Sequence, residues 1–178
     1  MSSLSPTLSD ERAVLLCGIS GSGKTELSRQ LERAGFTRLG ADDTAWRIHG
    51  PGLENLPFEE QRQVFDRAHG EIAAEMRRIL AGGGRVVVDA TMCKRAKRES
   101  MRAVCASVGV EPLIVYLSAP ERLLMSRLAG RRGTGHNDQI ITPGQLAGFC
   151  RGFEPPQPGE RFITIEQTPD GPESASTV

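Results

Sequence analysis

The hydrophobic residues of this chain fall into short continuous runs, which alternate with longer stretches where apolar positions recur every three or four residues. The continuous runs predict buried strands over residues 13–17, 36–39, 85–89, 113–117 and 162–165. The periodic stretches predict helices over residues 24–34, 57–80, 95–108 and 120–128. Strands that alternate with helices are typical of βαβ units. The pattern predicts an α/β three-layer sandwich, with helices on both faces of a mainly parallel five-stranded sheet.

Residues 18–25, between the first strand and the first long helix, match the phosphate-binding motif G-x-x-x-x-G-K-[ST]. Glycines in such a loop let successive backbone N–H groups face a phosphate, and the next helix adds the positive end of its dipole. We expect Lys24 to neutralise phosphate charge and the Thr25 hydroxyl to bind Mg²⁺. The motif predicts a P-loop NTPase fold that binds a nucleoside triphosphate through Gly18, Ser20, Gly21, Ser22, Gly23, Lys24 and Thr25.

Acidic residues follow two of the predicted strands, and ligands of open parallel sheets collect at the carboxyl ends of strands. Asp42 and Asp43 follow the second strand. We expect one of them, with Asp42 favoured, to act as the general base for an acceptor hydroxyl, whereas helix capping is the alternative. Asp89 ends the third strand, where it would reach Mg²⁺ or, alternatively, position substrate or cap a helix. Contacts with the acceptor are expected from Asp43, Arg47, Asp89, Thr91 and Arg95.

Arginines are concentrated near the end of the predicted helix 120–128. Arg127 and Arg131 are four residues apart and Arg132 follows, in a glycine-flanked segment. Such a segment is typical of a lid that brings guanidinium groups to the nucleotide phosphates, although a solvated helix end is the alternative. A second basic cluster, residues 94–102, could bind an anionic substrate or form a solvated face.

Length and composition limit the number of domains and the classes of function to be considered. The 178 residues suffice for one domain, which we place at 12–166 between a flexible N-terminus, 1–11, and a flexible tail, 167–178. The 22 basic and 22 acidic residues balance, which argues against a general attraction to nucleic acid or membranes. The four scattered cysteines and three distant histidines show no metal spacing. With no membrane span or signal peptide in the pattern, we expect a cytoplasmic protein.

The assembled motifs resemble those of small P-loop kinases, the group with polynucleotide 5′-kinase domains, zeta-toxin-like kinases and bacterial kinases of unknown substrate. The motifs that carry the resemblance lie at residues 18–25, 41–47, 86–91, 116–133 and 153–156. The resemblance implies ATP and Mg²⁺ as cofactors. It also implies that Lys24 and Thr25 bind phosphate and metal, that Asp42 is the base, and that Arg127 and Arg131 belong to a lid.

Two positions depart from polynucleotide kinases of this group. Ala45 stands where an arginine is usual, three residues after Asp42, and Met92 replaces the usual asparagine after Asp-x-Thr. We therefore expect a kinase that phosphorylates a hydroxyl of a small polar acceptor. A polynucleotide 5′-hydroxyl kinase is one alternative, and a nucleotide-binding switch or NTPase without an acceptor is another. The identity of the acceptor and the oligomeric state do not follow from the sequence.

Overall fold

The computed structural model describes residues 6–131, 140–169, 171–172 and 176–177. Five parallel strands form the main part of the sheet, and they are β1 (Ala13–Cys17), β2 (Thr37–Gly40), β3 (Val86–Asp89), β4 (Leu113–Ser118) and β5 (Phe162–Thr168). Their order across the sheet is β2-β3-β1-β4-β5. The predicted five-stranded parallel sheet is thus confirmed.

The described helices are α1 (Pro6–Ser9), α2 (Lys24–Arg33), α3 (Ala41–His49), α4 (Phe58–Ala81), α5 (Arg95–Ala106), α6 (Glu121–Ala129) and α7 (Pro143–Gly152). The four predicted helices correspond to α2, α4, α5 and α6, with ends within two residues of the prediction. Pro57 precedes α4 as its N-cap, rather than occupying its first turn. The pattern did not predict α1, α3 or α7, because each is short and carries few regularly spaced apolar residues.

The hydrophobic core lies on both faces of the sheet. On one face, Ile72 and Met76 of α4 and Met101 of α5 pack against alternate residues of β1 and β3. On the other face, Leu31 of α2 packs against the remaining residues of these strands, such as Val14. Every residue of β1 and β3 is buried, because strands covered on both faces have no solvated side. The three-layer α/β arrangement is confirmed.

The chain ends of the described structure are attached to the core. Leu8 of α1 is buried within the segment predicted as a flexible N-terminus. At the other end, β5 runs past the predicted boundary at residue 166, and two short strands pair with it in antiparallel orientation, β6 (Gly171–Pro172) and β7 (Ser176–Thr177). Strand pairing uses backbone groups, so a segment poor in apolar side chains can still form it. Among the described residues, no helix has the length and hydropathy of a membrane span.

Candidate active site

The loop between β1 and α2 has a backbone that only glycine adopts readily. Gly21 and Gly23 have φ angles of 88° and 98°, in the left-handed region. A Cβ atom on Gly18 would lie 2.7 Å from Ser22 Oγ and 2.8 Å from the carbonyl oxygen of Leu117. The glycines of the motif are therefore required by the turn itself.

The same turn delivers the start of α2 without a side-chain cap. Gly23 is the N-cap of α2 and, without a side chain, makes no capping hydrogen bond to the first turn. The first N–H groups of a helix have no intrahelical acceptor, and together with the helix dipole they favour an anion. The start of α2 therefore fits a phosphate group.

Lys24 is a half-buried cation within this loop. Its Nζ donates a hydrogen bond of 3.0 Å to the carbonyl oxygen of Ile19. Burial lowers the pKa of Lys24 to about 8, although the charges of Asp89 and Asp42 oppose that shift. A polyphosphate beside Nζ would raise the pKa again, because a nearby anion favours the charged amine.

A cavity of about 870 Å³ opens at the carboxyl ends of the strands, above the loop. It brings together many of the predicted residues, namely Ser20, Gly21, Gly23, Lys24, Thr25, Asp42, Asp89, Thr91, Arg127 and Arg131. Gly18 and Ser22 are not part of this lining. The Gly18 N–H donates to the Thr91 carbonyl, and Ser22 is fully buried with no hydrogen-bond partner for its hydroxyl among the described residues.

Asp89 is held by two residues that the sequence analysis missed. Arg38 on β2 forms an ion pair of 2.7 Å with Asp89 Oδ2 and another of 2.7 Å with Asp43 Oδ2. Ser28 Oγ lies 2.9 Å from Asp89 Oδ2 and accepts a hydrogen bond of 2.8 Å from Arg38 Nε. A charged residue within a strand of a largely buried sheet needs oppositely charged or hydrogen-bonding partners. The position of Arg38 in the predicted strand 36–39 was therefore the sequence feature that could have identified it.

The residues expected to bind Mg²⁺ offer suitable ligands. Thr25 and Asp89 both line the cavity, and they supply a hydroxyl and a carboxylate oxygen. Arg38 and Ser28 both contact the same oxygen of Asp89, Oδ2, so they hold this carboxylate through one of its two oxygens. Oxygen ligands of this kind fit Mg²⁺, which commonly binds one or two protein groups together with phosphates.

The adjacent aspartates differ in their surroundings. Both lie in the first turn of α3, whose N-cap is Gly40 without a side-chain cap, so the alternative that one of them is the cap is wrong. Asp42 lines the cavity with Lys24. Asp43 is paired with Arg38 and is not part of the lining. The structure therefore favours Asp42 over Asp43 for contact with an acceptor.

The two arginines expected in a lid border the phosphate loop. Arg127 of α6 donates hydrogen bonds of 3.2 Å to the Gly21 carbonyl and 3.3 Å to Gln167 Oε1. Arg131 lies just after α6, and its charge contributes to the lowered pKa of Lys24. Gln167 is buried on β5, and no sequence pattern marked it, since it fell in the predicted tail. Arg132, also expected at the phosphates, lies outside the described residues.

Two other predicted acceptor ligands lie away from the cavity. Arg47 forms an exposed ion pair with Glu71. Arg95 pairs with Glu99 at 2.7 Å. Neither arginine lines the cavity, so the expectation that they bind the acceptor gains no support from their positions.

Most of the remaining cavity wall comes from residues that the sequence analysis did not select. One face of α4 contributes Phe58, Gln61, Arg62, Phe65 and His69. The segment at the start of α7 and α7 itself contribute Ile140, Ile141, Gln145 and Phe149. Positions 58 and 65 of α4 continue the helical spacing of its core residue Ile72, so the spacing shows the face but does not separate the cavity wall from the core.

The basic residues at the start of α5 pair mainly with carboxylates and carbonyl groups of the protein itself. Arg98 is fully buried and binds Glu160 through Nε at 2.7 Å and Nη2 at 3.0 Å. It also donates to the carbonyls of Met92 at 3.0 Å and Glu154 at 2.7 Å. Met92 has a φ of 46°, an unusual conformation for a residue other than glycine. Arg98 thus stabilises the loop after β3 that lines the cavity.

Solved structures of kinases share this architecture. A sugar kinase from Janibacter sp. HTCC2649 has a TM-score of 0.66 and 20% identity, over 90% of this chain and 88% of that chain. A gluconokinase from Sinorhizobium meliloti 1021 has a TM-score of 0.60 and 21% identity, over 86% and 81%. A kinase-like protein from Chloroflexus aurantiacus J-10-fl has a TM-score of 0.70 and 22% identity, over 90% of both chains. No curated protein sequence matches the chain significantly.

At these identities the similarity is one of fold, and it confirms the α/β P-loop kinase-like architecture. A family model, AAA_33, described as an AAA domain, matches residues 14–156. The match runs from β1 to the segment after α7 and so contains the phosphate loop, Asp42, Asp89 and the two arginines expected in a lid, Arg127 and Arg131. The chain belongs to this AAA-domain family.

Proposed function

We propose that this protein is an ATP-dependent kinase that transfers the γ-phosphoryl group to a hydroxyl group of a small acceptor. The observation that carries the proposal is a single cavity lined by Lys24, Arg127 and Arg131 together with Asp42. Phosphoryl transfer needs cations around the phosphates and a carboxylate that can take a hydroxyl proton. The similarity in fold to a sugar kinase and a gluconokinase supports a small acceptor.

The described residues divide the reaction between them. Lys24 and the loop N–H groups bind the β- and γ-phosphates. Bound Mg²⁺-ATP would supply the transferable phosphoryl group, with Thr25 and Asp89 as the residues that hold the metal. Asp42 orients the acceptor hydroxyl and takes its proton as the oxygen–phosphorus bond forms and ADP departs with its bridging oxygen. Arg127 and Arg131 stabilise the charge on the transferring group and the departing oxygen.

The contacts of the basic cluster favour a small acceptor over a nucleic-acid end. Lys94 pairs with Glu154 at 3.0 Å and Arg95 with Glu99 at 2.7 Å, so both cations already have carboxylate partners. Their pairing reduces the charge available for a phosphate backbone, which binds mainly through unpaired basic side chains. A kinase needs a base that takes the proton of the acceptor hydroxyl. The proposed role of Asp42 as this base distinguishes the protein from a switch that only hydrolyses its nucleotide.

Formation of ADP tests the proposal. The protein would be incubated with Mg²⁺-ATP and a panel of sugars, sugar acids, amino alcohols, aryl alcohols and an oligonucleotide with a 5′-hydroxyl. We expect a small alcohol to raise the rate of ADP formation, and Lys24→Ala to abolish this rate. Arg29→Ala removes an exposed cation from the same helix and should leave it unchanged.

Other outcomes of this experiment separate the alternatives. Stimulation by the oligonucleotide that falls steeply with ionic strength would identify a polynucleotide kinase, because several phosphate contacts make affinity salt-dependent. Slow ADP formation that no acceptor stimulates would identify an NTPase or switch. If calorimetry with Mg²⁺ detected no binding of ATP, the proposal would be wrong.

A further inference from the structure

Large apolar side chains that the described chain leaves exposed are concentrated at the cavity. Phe58, Ile140 and Phe149 are 80%, 67% and 46% exposed, and all three line it. Met125 of α6, at 40% exposed, is the other such residue in the described structure and lies outside the lining. A group of exposed apolar side chains around one concave site is typical of a ligand-binding surface.

These side chains are separate from the core of the fold. On α4, Ile72 packs against the sheet and Phe65 is partly buried against Ala45, Leu53 and Ala68, whereas Phe58 at the start of the same helix is exposed to the cavity. On α7, Leu146 is buried against α6, whereas Phe149 borders the cavity. The packed residues fix both helices, and on or beside the same helix face Phe58 and Phe149 remain exposed to the cavity.

The polar side chains of the same walls already have local hydrogen bonds. Gln61 Nε2 donates to the Leu56 carbonyl at 2.8 Å. Gln145 Oε1 accepts from the backbone N–H of Thr142 at 2.8 Å. His69 Nδ1 lies 2.7 Å from the Phe65 carbonyl, which can only accept, so Nδ1 carries the proton. Each of these side chains therefore has fewer hydrogen-bonding groups available to a ligand.

We call the part of the cavity that is lined by α4, α7 and the loop after β3 the acceptor end. The cations at this end are also paired with acidic side chains. Acidic side chains that do not belong to the lining pair with three lining cations, in the pairs Arg62–Glu59 at 2.6 Å, Lys94–Glu154 at 3.0 Å and Lys97–Asp66 at 3.6 Å. The exposed side chains of Phe58, Ile140 and Phe149, by contrast, belong to none of the hydrophobic clusters of the described structure and are accessible to a ligand.

We infer that the acceptor alcohol carries an aromatic ring or a branched aliphatic group, which packs against the exposed ring of Phe58, the partly buried ring of Phe65 and the ring of Phe149 on α7. This inference rests on the proposed kinase function and names the class of its acceptor. The competing occupant is the purine base of ATP. α4 packs extensively against α3, which carries Asp42, so its rings lie on the side of the proposed base. A fully hydroxylated sugar would bury its polar groups against these rings without hydrogen bonds.

The experiment uses matched alcohols with the full-length protein. Rates of ADP formation would be compared for 3-phenylpropane-1,2-diol and glycerol, and for phenyl β-glucoside and glucose. We expect the phenyl member of a pair to have a KM at least about tenfold lower, because burial of an aromatic ring is worth at least that factor. Phe58→Ala should raise the KM for the phenyl alcohol about tenfold without changing the KM for ATP. Met125→Ala makes a similar truncation outside the cavity and should change neither constant.

A binding measurement separates this inference from the kinase function. The neutral dye N-phenyl-1-naphthylamine, which fluoresces in apolar sites, should bind without ATP, lose affinity in Phe58→Ala and be displaced by 3-phenylpropane-1,2-diol. Dye binding that depends on Phe58, without phosphorylation of any alcohol, would support the apolar site and overturn the kinase function. Preferred phosphorylation of glycerol or glucose would support the kinase function and overturn the inference. A rise in the KM for ATP in Phe58→Ala, or dye binding that ignores Phe58, would also overturn it.

Discussion

The two ends of the cavity are built in different ways. At the phosphate end, consecutive residues of one loop supply backbone N–H groups, a lysine and a hydroxyl, and a buried ion-pair network fixes Asp89 beside them. At the acceptor end, rings and side chains from α4, α7 and the loop after β3 form the walls. The first end is determined by the chemistry of phosphate, which every nucleoside triphosphate shares. The second depends on the shape of one particular acceptor.

The largest expected effect is at Asp42, where the two ends meet. Asp42→Asn removes the proton acceptor but keeps the size of the side chain, so kcat should fall by about 10²–10⁴ while ATP binding stays the same. Steady-state ADP formation and calorimetric ATP titration measure the two quantities. Asp10→Asn makes the same exchange at an exposed position and should have no effect. Unchanged kcat in Asp42→Asn would remove this residue from the role of base.

The second prediction concerns the rigidity of the phosphate end. Arg38→Met leaves the buried carboxylate of Asp89 without its ion pair, and breaking such a pair should lower the free energy of unfolding by about 3–5 kcal/mol. Arg47→Met breaks the exposed pair with Glu71 and should cost less than about 1 kcal/mol. Urea unfolding of both variants measures the difference. Equal losses would show that the Arg38 network does not hold Asp89 as the structure indicates.

The contrast between the two ends also explains what could be predicted from sequence. Lys24 and Thr25 were identified because their loop is contiguous and needs glycines at fixed positions. The parallel sheet followed from its apolar strands. Arg38 was missed because its partners, Asp89 and Ser28, are brought to it only by the order of the strands.

The acceptor wall was missed for a different reason. Phe58 begins α4, and most of the regularly spaced apolar residues of this helix pack in the core. Their spacing alone does not show which apolar positions border the cavity instead. Phe149 lies on α7, a ten-residue helix with weak apolar periodicity. Residues that approach from separate elements have no fixed spacing in the sequence, whereas a loop that wraps a phosphate does. The comparison therefore predicts that sequence motifs identify the phosphate site, whereas structure is needed to find the acceptor site.

A smaller effect is expected where β5 supports the phosphate end. Gln167→Ala removes the hydrogen bond to Arg127, so kcat should fall on the order of tenfold, because a hydrogen bond to a charged group contributes about 1.5–3 kcal/mol at most. Gln30→Ala removes an exposed amide on α2 that binds Glu26, and its kcat should be unchanged. Steady-state kinetics with saturating ATP measure both variants. A kcat for Gln167→Ala equal to that of the control would show that Arg127 needs no support from β5.

The smallest expected effect is a pH dependence that belongs to the phosphate end alone. Because burial lowers the pKa of Lys24 to about 8, the amine loses its proton above that pH in the nucleotide-free protein, and ATP must restore it on binding. Affinity for ATP should therefore fall about tenfold between pH 7 and pH 9, with proton uptake visible in calorimetry in buffers of different ionisation enthalpy.

The stability of the nucleotide-free protein should change in the opposite direction. Unfolded lysine keeps its proton to a pKa near 10.5, so the unfolded state binds more protons than the folded state above pH 8, and stability rises with pH in that window. Lys97→Met removes a cation from the acceptor end and should leave both trends in place, whereas Lys24→Met should abolish them. If Lys97→Met abolished the pH dependence of ATP binding instead, the titrating group would lie at the acceptor end, and the assignment of the two ends would have to be reversed.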